Sequence, residues 1–296
     1  MKKGITKILS ACVFAFVVFL AAGTQSKAAV NMGVKQTGAG SSYVDLAWNA
    51  QLGAGHYHTQ FSQDGKNWID MEYSSSPSDS VYNLTQGASY YARVVAYNGS
   101  HYSGTHVMVG VSETAIVSTK PTEVTGLTQT AAGVNSVSMS WNASAGAASY
   151  VIYGYINYNW TQIGTSATNS ATITGVAATT STKFSVAAVK NVTGGTVTGD
   201  QCSGVEMKAI PIKVSRIAMQ YYWDSLKEAK YIWTDVNNAD GYQYEVKSAN
   251  GKKTYFRATS TSSYTYVKPF PRGIFVKARV RAYVTVGNKV YYGAWS

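Results

Sequence analysis

The chain has 296 residues, room for two or three domains at roughly 100 to 150 residues each, with a formal net charge of +11 although only 13% of residues are charged. Its 23 tyrosines, with abundant Thr, Val and Ser, suit pleated, half-buried surfaces. No long helical period follows the N-terminal segment, which argues against a helical architecture.

Residues 1–28 read as a signal peptide. Lys2, Lys3 and Lys7 precede an apolar core from Ile8 to Ala22, and Ser26-Lys27-Ala28 places small residues three and one before a cut. Cleavage is expected after Ala28, with Ala29 as the alternative. An apolar run of about 15 residues is shorter than the roughly 20 needed for a membrane span, and no second such run follows. Leu9-Ser10-Ala11-Cys12 has the composition of a lipoprotein cleavage box but precedes most of the apolar core instead of following it. Cys12 leaves with the leader, so only Cys202 remains and an intramolecular disulfide is excluded. Stability must come from packed cores, with Cys202 acting as a small apolar side chain.

Beyond the leader, three tryptophans set a repeat. Trp48, Trp141 and Trp233 stand 93 and 92 residues apart, and each is followed nine residues later by a tyrosine, Tyr57, Tyr150 and Tyr242. Further along each repeat an alternating segment ends in alanine: Tyr90-Ala92-Val94-Ala96, Phe184-Val186-Ala188 and Val276-Ala278-Val280-Ala282. Period-two alternation predicts strands with one buried face. Asp64-Gly65, Asn98-Gly99 and Asn250-Gly251 predict two-residue hairpin turns, because such pairs accept positive φ. Many short strands with turn signals and no helices predict an all-β chain of three tandem antiparallel sandwiches, at 29–117, 118–210 and 211–296. The boundaries fall where Ser118-Thr119-Lys120-Pro121 and Ala209-Ile210-Pro211 break the alternation, and linkers this short imply a semi-extended rod.

The Trp on the second strand of each repeat, the Tyr opening the third, and the Leu84, Gly87 and Tyr90 corner resemble the fibronectin type III module, an immunoglobulin-like sandwich. Phe61-Ser62-Gln63-Asp64-Gly65-Lys66-Asn67-Trp68 and the terminal Tyr291-Tyr292-Gly293-Ala294-Trp295-Ser296 resemble bacterial secreted versions of it. The resemblance covers nearly all of residues 30 to 296. It departs at the corner tyrosine, which becomes Thr182 in the second repeat and Val276 in the third, while apolar partners persist six residues earlier as Leu84, Val176 and Phe270. The fold should therefore survive with two less tightly tied corners.

Candidate sites follow in chain order. The first repeat holds all four histidines, His56, His58, His101 and His106. His56 and His58 flank the inward Tyr57 and are expected to point outwards, and the ends of the sandwich could bring His56 near His101. A metal site and a set of solvated histidines are both compatible with this pattern. In the second repeat Tyr153 and Tyr155, with Tyr158 and Trp160, offer rings on which a sugar could stack, though such rows also serve packing alone.

Charge is uneven, with net values of −3, +1 and +9 for the three repeats. In the third, Lys277, Arg279 and Arg281 take the outward phase of their strand, and Lys247, Lys252, Lys253, Arg257 and Lys289 extend this basic row. It suits an anionic polymer, and equally a solvated face or an edge guard against sheet-to-sheet pairing.

No Gly-x-Ser-x-Gly elbow, His-Glu-x-x-His helix, phosphate loop or dinucleotide fingerprint occurs, and the repeats consume the chain. The sequence therefore predicts a secreted, extracellular, non-enzymatic binding or adhesion protein, monomeric and without a cofactor. Its expected partner is an extracellular polysaccharide, cell-wall polymer or surface protein, and not specific nucleic acid. A passive spacer, a glycan-binding module and an unrecognised enzyme remain as alternatives. Fold alone does not choose among these.

Overall fold

A computed structural model describes residues 29–296, apart from 104–105, 179–180, 271–272 and 274. The expected leader, with its expected cut after Ala28, lies outside the described residues. In chain order the first domain forms β1 (Lys35–Ala39), β2 (Val44–Ala47), β3 (His56–Ser62), β4 (Ile69–Ser74), β5 (Ser78–Val81), β6 (Ser89–Tyr97), β7 (Met108–Val111) and β8 (Ala115–Ser118). One sheet has the order β1-β2-β5 and the other β4-β3-β6-β7, with β8 also pairing β6.

The second domain repeats this plan with β9 (Thr128–Gly133), β10 (Ser136–Ser140), β11 (Ser149–Ile156), β12 (Asn159–Ser166), β13 (Ser170–Thr174), β14 (Thr182–Val192), β15 (Gly195–Thr198) and β16 (Val205–Met207). The third uses β17 (Ile217–Trp223), β18 (Glu228–Trp233), β19 (Gly241–Ser248), β20 (Thr254–Ser260), β21 (Tyr264–Val267), β22 (Val276–Val286) and β23 (Lys289–Tyr292). Sheets β13-β10-β9 and β17-β18-β21 face sheets β12-β11-β14-β15 and β20-β19-β22-β23. All strand pairs within these sheets are antiparallel, and a three-stranded sheet against a larger one in this order is the fibronectin type III arrangement.

Each sandwich has its own core, in which alternate side chains meet between the sheets. The first runs from Met32 to Val117, the second from Val124 to Ala209 and the third from Val214 to Val284. The Trp and Tyr markers make the same contact three times: ring centroids lie 5.4 Å apart for Trp48–Tyr57, 5.2 Å for Trp141–Tyr150 and 5.4 Å for Trp233–Tyr242. In each domain the backbone N–H three residues after the Trp donates to the Tyr hydroxyl, from Gln51 (3.1 Å), Ser144 (3.0 Å) and Val236 (2.7 Å). The nine-residue spacing thus reflects a loop folded back onto a partly polar ring, whose hydroxyl needs a partner once buried.

At the first corner Thr85 N–H donates to the Tyr90 hydroxyl over 3.0 Å. Cys202 is buried and free, its sulfur accepting from Val186 N–H.

The turn expectation needs correction. Asp64-Gly65, Asn98-Gly99 and Asn250-Gly251 sit in longer connections, at 63–68, 98–107 and 249–253, and in each pair only the glycine has positive φ. The side chains act as caps instead. Asp64 Oδ1 accepts from the N–H groups of Lys66 and Asn67, which with Ser62 hold its carboxyl well below the usual carboxylate range. Asn98 Oδ1 accepts from Val107 N–H over 2.7 Å, closing the long β6–β7 connection. A true two-residue turn with both φ values positive occurs where it was not expected, at Asn157 (50°) and Tyr158 (64°).

Hydrogen bonds cross both domain seams. Ile116 and Thr193 exchange two of them, and the buried Lys190 donates to the Gly87 carbonyl, its pKa lowered by burial. Lys208 pairs with Asp240 at 2.7 Å across the second seam. Among the described residues, no helix is long and apolar enough to cross a membrane.

Candidate functional site

The histidines come together on the outer face of the first domain's larger sheet. Tyr57 turns into the core, so His56 and His58 turn out from β3, as period-two geometry requires. His56 is nevertheless 0% exposed, which corrects the solvated reading for this residue. The β6–β7 connection folds over β3, and its single 3-10 turn, His101–Ser103, brings His101 and the following His106 onto the same patch. Tyr97 stacks on His56 with ring centroids 5.3 Å apart, and Tyr73 lies 4.3 Å from His101.

His56 Nδ1 donates to the Gly99 carbonyl at 3.1 Å. His58 Nε2 and His101 Nδ1 lie 3.2 Å apart. One ligand atom each from His56, His58 and His101 falls within 4.8 Å of the other two. Burial lowers the His58 pKa, with Asp70 opposing and the neighbouring imidazoles adding to the effect.

The basic row of the third domain exists, but not as an unpartnered cationic face. In register, Arg279 lies opposite Glu245, Arg281 opposite Gln243 and Lys277 opposite Lys247. Glu245 is fully buried in the middle of the row. Its carboxylate accepts from Arg279 (2.6 Å) and from Arg257 Nε (2.5 Å), with Lys247 at 3.6 Å. Burial alone would raise the Glu245 pKa, yet the two arginines carry it below its ordinary value. Arg281 lies over Tyr292 (3.9 Å) and Trp295 (4.4 Å), and Arg279 also lies over Trp295. Lys289 rests over Tyr291, and Lys253 over Tyr255. One strand showed the row of cations, whereas the carboxylate that gathers them belongs to the neighbouring strand.

In the second domain the expected aromatic row splits. Tyr155 pairs across the hairpin with Trp160, ring centroids 5.3 Å apart, while Tyr153 is half-buried and Tyr158 stands at the tip. Trp160 lies against Gly204, where an added Cβ would come within 2.8 Å of the ring, so part of this tryptophan serves packing.

A better-formed aromatic surface lies in the third domain, on the outer face of sheet β17-β18-β21. Lys230 sits on the central strand, directly between Tyr221 and Tyr266. Trp223 and Tyr264 complete the surface two residues further along their strands. Lys230 Nζ lies 5.5, 5.0 and 5.7 Å from the ring centroids of Tyr221, Tyr264 and Tyr266. Trp223 and Tyr266 are nearly parallel, at 18° and 6.2 Å. Trp223, Tyr264 and Tyr266 are 38%, 45% and 46% exposed. The hydrogen bond between the Tyr221 and Tyr266 hydroxyls, which holds the proton on Tyr266, raises the Tyr266 pKa. The sequence carries a signal for this platform, the pairs Tyr221-x-Trp223 and Tyr264-x-Tyr266 at period two.

No protein-family model matches the chain. Over 162 residues, 52% of its length, the chain is 33% identical to Chitinase A1 of Niallia circulans, and it spans 22% of that protein. Similar solved structures include the FN1–FN3 domains of chicken CNTN1, at 16% identity over 90% of this chain and 95% of that one, with a TM-score of 0.33. Another is a two-domain fibronectin type III segment of chicken tenascin, at 15% identity over 60% of this chain and 97% of that one, with a TM-score of 0.31.

Proposed function

We propose that this tandem of three fibronectin type III modules is an extracellular, non-catalytic protein that binds a neutral polysaccharide through the platform of Tyr221, Trp223, Tyr264 and Tyr266. The observation that carries this reading is four aromatic rings gathered on one outward sheet face around a single lysine, on ordered strands and not on loops. Such rings normally go to a core or an interface. Left open in one patch, they offer flat apolar faces to the apolar faces of sugar rings, while tyrosine hydroxyls and Lys230 supply hydrogen bonds at the rim. Partial identity with a protein named for its action on chitin points to the same class of ligand. The basic row favours an anionic polymer less, because Glu245 and the aromatic rings already engage its arginines.

The test is sedimentation of the full chain with insoluble chitin or cellulose, at low and at high salt. The expected result is depletion that persists in high salt and falls about tenfold or more in Trp223→Ala/Tyr266→Ala, a loss of at least about 1.4 kcal/mol. Tyr158→Ala, at the second domain's hairpin, should leave binding unchanged. Depletion abolished by salt, or undiminished in the double variant, would refute the platform.

A further inference from the structure

We propose that His56, His58 and His101 form a binding site for a divalent zinc-class ion in the first domain, with His106 beside it. The argument begins with the His56 tautomer. A carbonyl can only accept, so the 3.1 Å contact to Gly99 fixes the proton on Nδ1 and leaves the Nε2 lone pair bare. That nitrogen is fully buried without a hydrogen-bonding partner. A buried acceptor left bare carries a desolvation cost, and a bound ion is one of the ways a folded protein relieves it. A histidine held by a backbone carbonyl at one nitrogen and open at the other is the arrangement that orients an imidazole towards a metal.

His58 and His101 each bring one nitrogen to the same point as His56. His58 Nε2 and His101 Nδ1 are 3.2 Å apart. Two nitrogens sharing a tetrahedral zinc at about 2.0 to 2.1 Å would stand roughly 3.3 Å from one another. His106 places its ring edge-on to His56, with centroids 5.1 Å apart, and its buried Nδ1 is a second nitrogen without a partner. Imidazoles alone, with no thiolate or carboxylate in the set, select zinc, copper or nickel over calcium or magnesium.

The backbone supports this placement. Gly55 approaches so closely that a Cβ there would come within 2.2 Å of the Gly99 oxygen, and its N–H donates to the Tyr97 carbonyl. The ion would tie β3 to the β6–β7 connection.

The experiment is calorimetric titration of the full chain with zinc chloride, alongside cobalt(II) as a spectroscopic probe. The expected result is one ion per chain, the visible bands of tetrahedral cobalt, and a higher melting temperature with zinc. Because His56 is buried and its replacement could unfold the domain, the deciding variants are His101→Ala and His58→Gln, checked for native circular dichroism. Each should weaken zinc binding at least tenfold and abolish the cobalt bands. Absence of zinc uptake by the wild-type chain, or unchanged affinity in both folded variants, overturns the proposal.

Discussion

Replacing Glu245 with Gln tests the electrostatic reading of the third domain. The wild-type carboxylate is 0% exposed and joins Arg279 and Arg257, with Lys247 at 3.6 Å. Gln keeps the volume and removes the charge, leaving three cations and Lys277 crowded on one face. Removing one partner of a buried ion pair costs about 3 to 5 kcal/mol. Arg257 and Arg279 are 59% and 37% open to solvent, which lets water screen part of the imbalance. We therefore expect a loss of about 2 to 3 kcal/mol, after discounting the buried-pair figure for that screening. For a domain of this size that lowers the melting temperature by on the order of 10 to 20 °C. Scanning calorimetry of the full chain should show the third domain's transition falling while the other two stay in place. A loss below about 0.5 kcal/mol, the scale of an ordinary surface substitution, would refute the idea that this carboxylate organises the row.

Three further outcomes follow from the same structure. Acidification should weaken the third domain: the folded Glu245 pKa is depressed, so its stabilisation is fully present above the ordinary glutamate range and is lost as pH falls below that range and through the lower folded value. Thermal melts of wild type and Glu245→Gln should therefore converge towards low pH, and a constant gap would contradict this. Tyr90→Phe should cost about 1 to 2 kcal/mol in the first domain, by removing the acceptor of Thr85 N–H, and urea unfolding measures it. Tyr158→Gly should stabilise the second domain by about 1 kcal/mol, because Tyr158 holds φ of 64° that glycine adopts without a Cβ penalty. Destabilisation in that variant would show that the ring contributes packing at the tip.

What the sequence made legible was whatever depends on one strand at a time. Trp48, Tyr57 and their counterparts were readable because a buried ring recurs at fixed spacing and alternation assigns its face. The same alternation placed His56 and Arg279 on outward faces correctly. It could not say what covers an outward face. His56 is buried by a connection more than forty residues away, and Arg279 meets Glu245 only through the β19–β22 register. The aromatic platform escaped for a related reason: Tyr221 and Tyr266 are brought together by a strand order in which β18 lies between β17 and β21. The turns misled because Asn-Gly and Asp-Gly pairs mark positive φ without fixing loop length, and at Asn98 the side chain closes a much longer connection.

The most direct measurement is the indole N–H resonance of Trp223 during titration with a soluble chito-oligosaccharide. The account predicts that it shifts in a saturable manner, while the buried Trp233 and the second domain's Trp160 stay in place. A shift confined to Trp160, or no shift of Trp223 at saturating sugar, would contradict the platform as the binding surface.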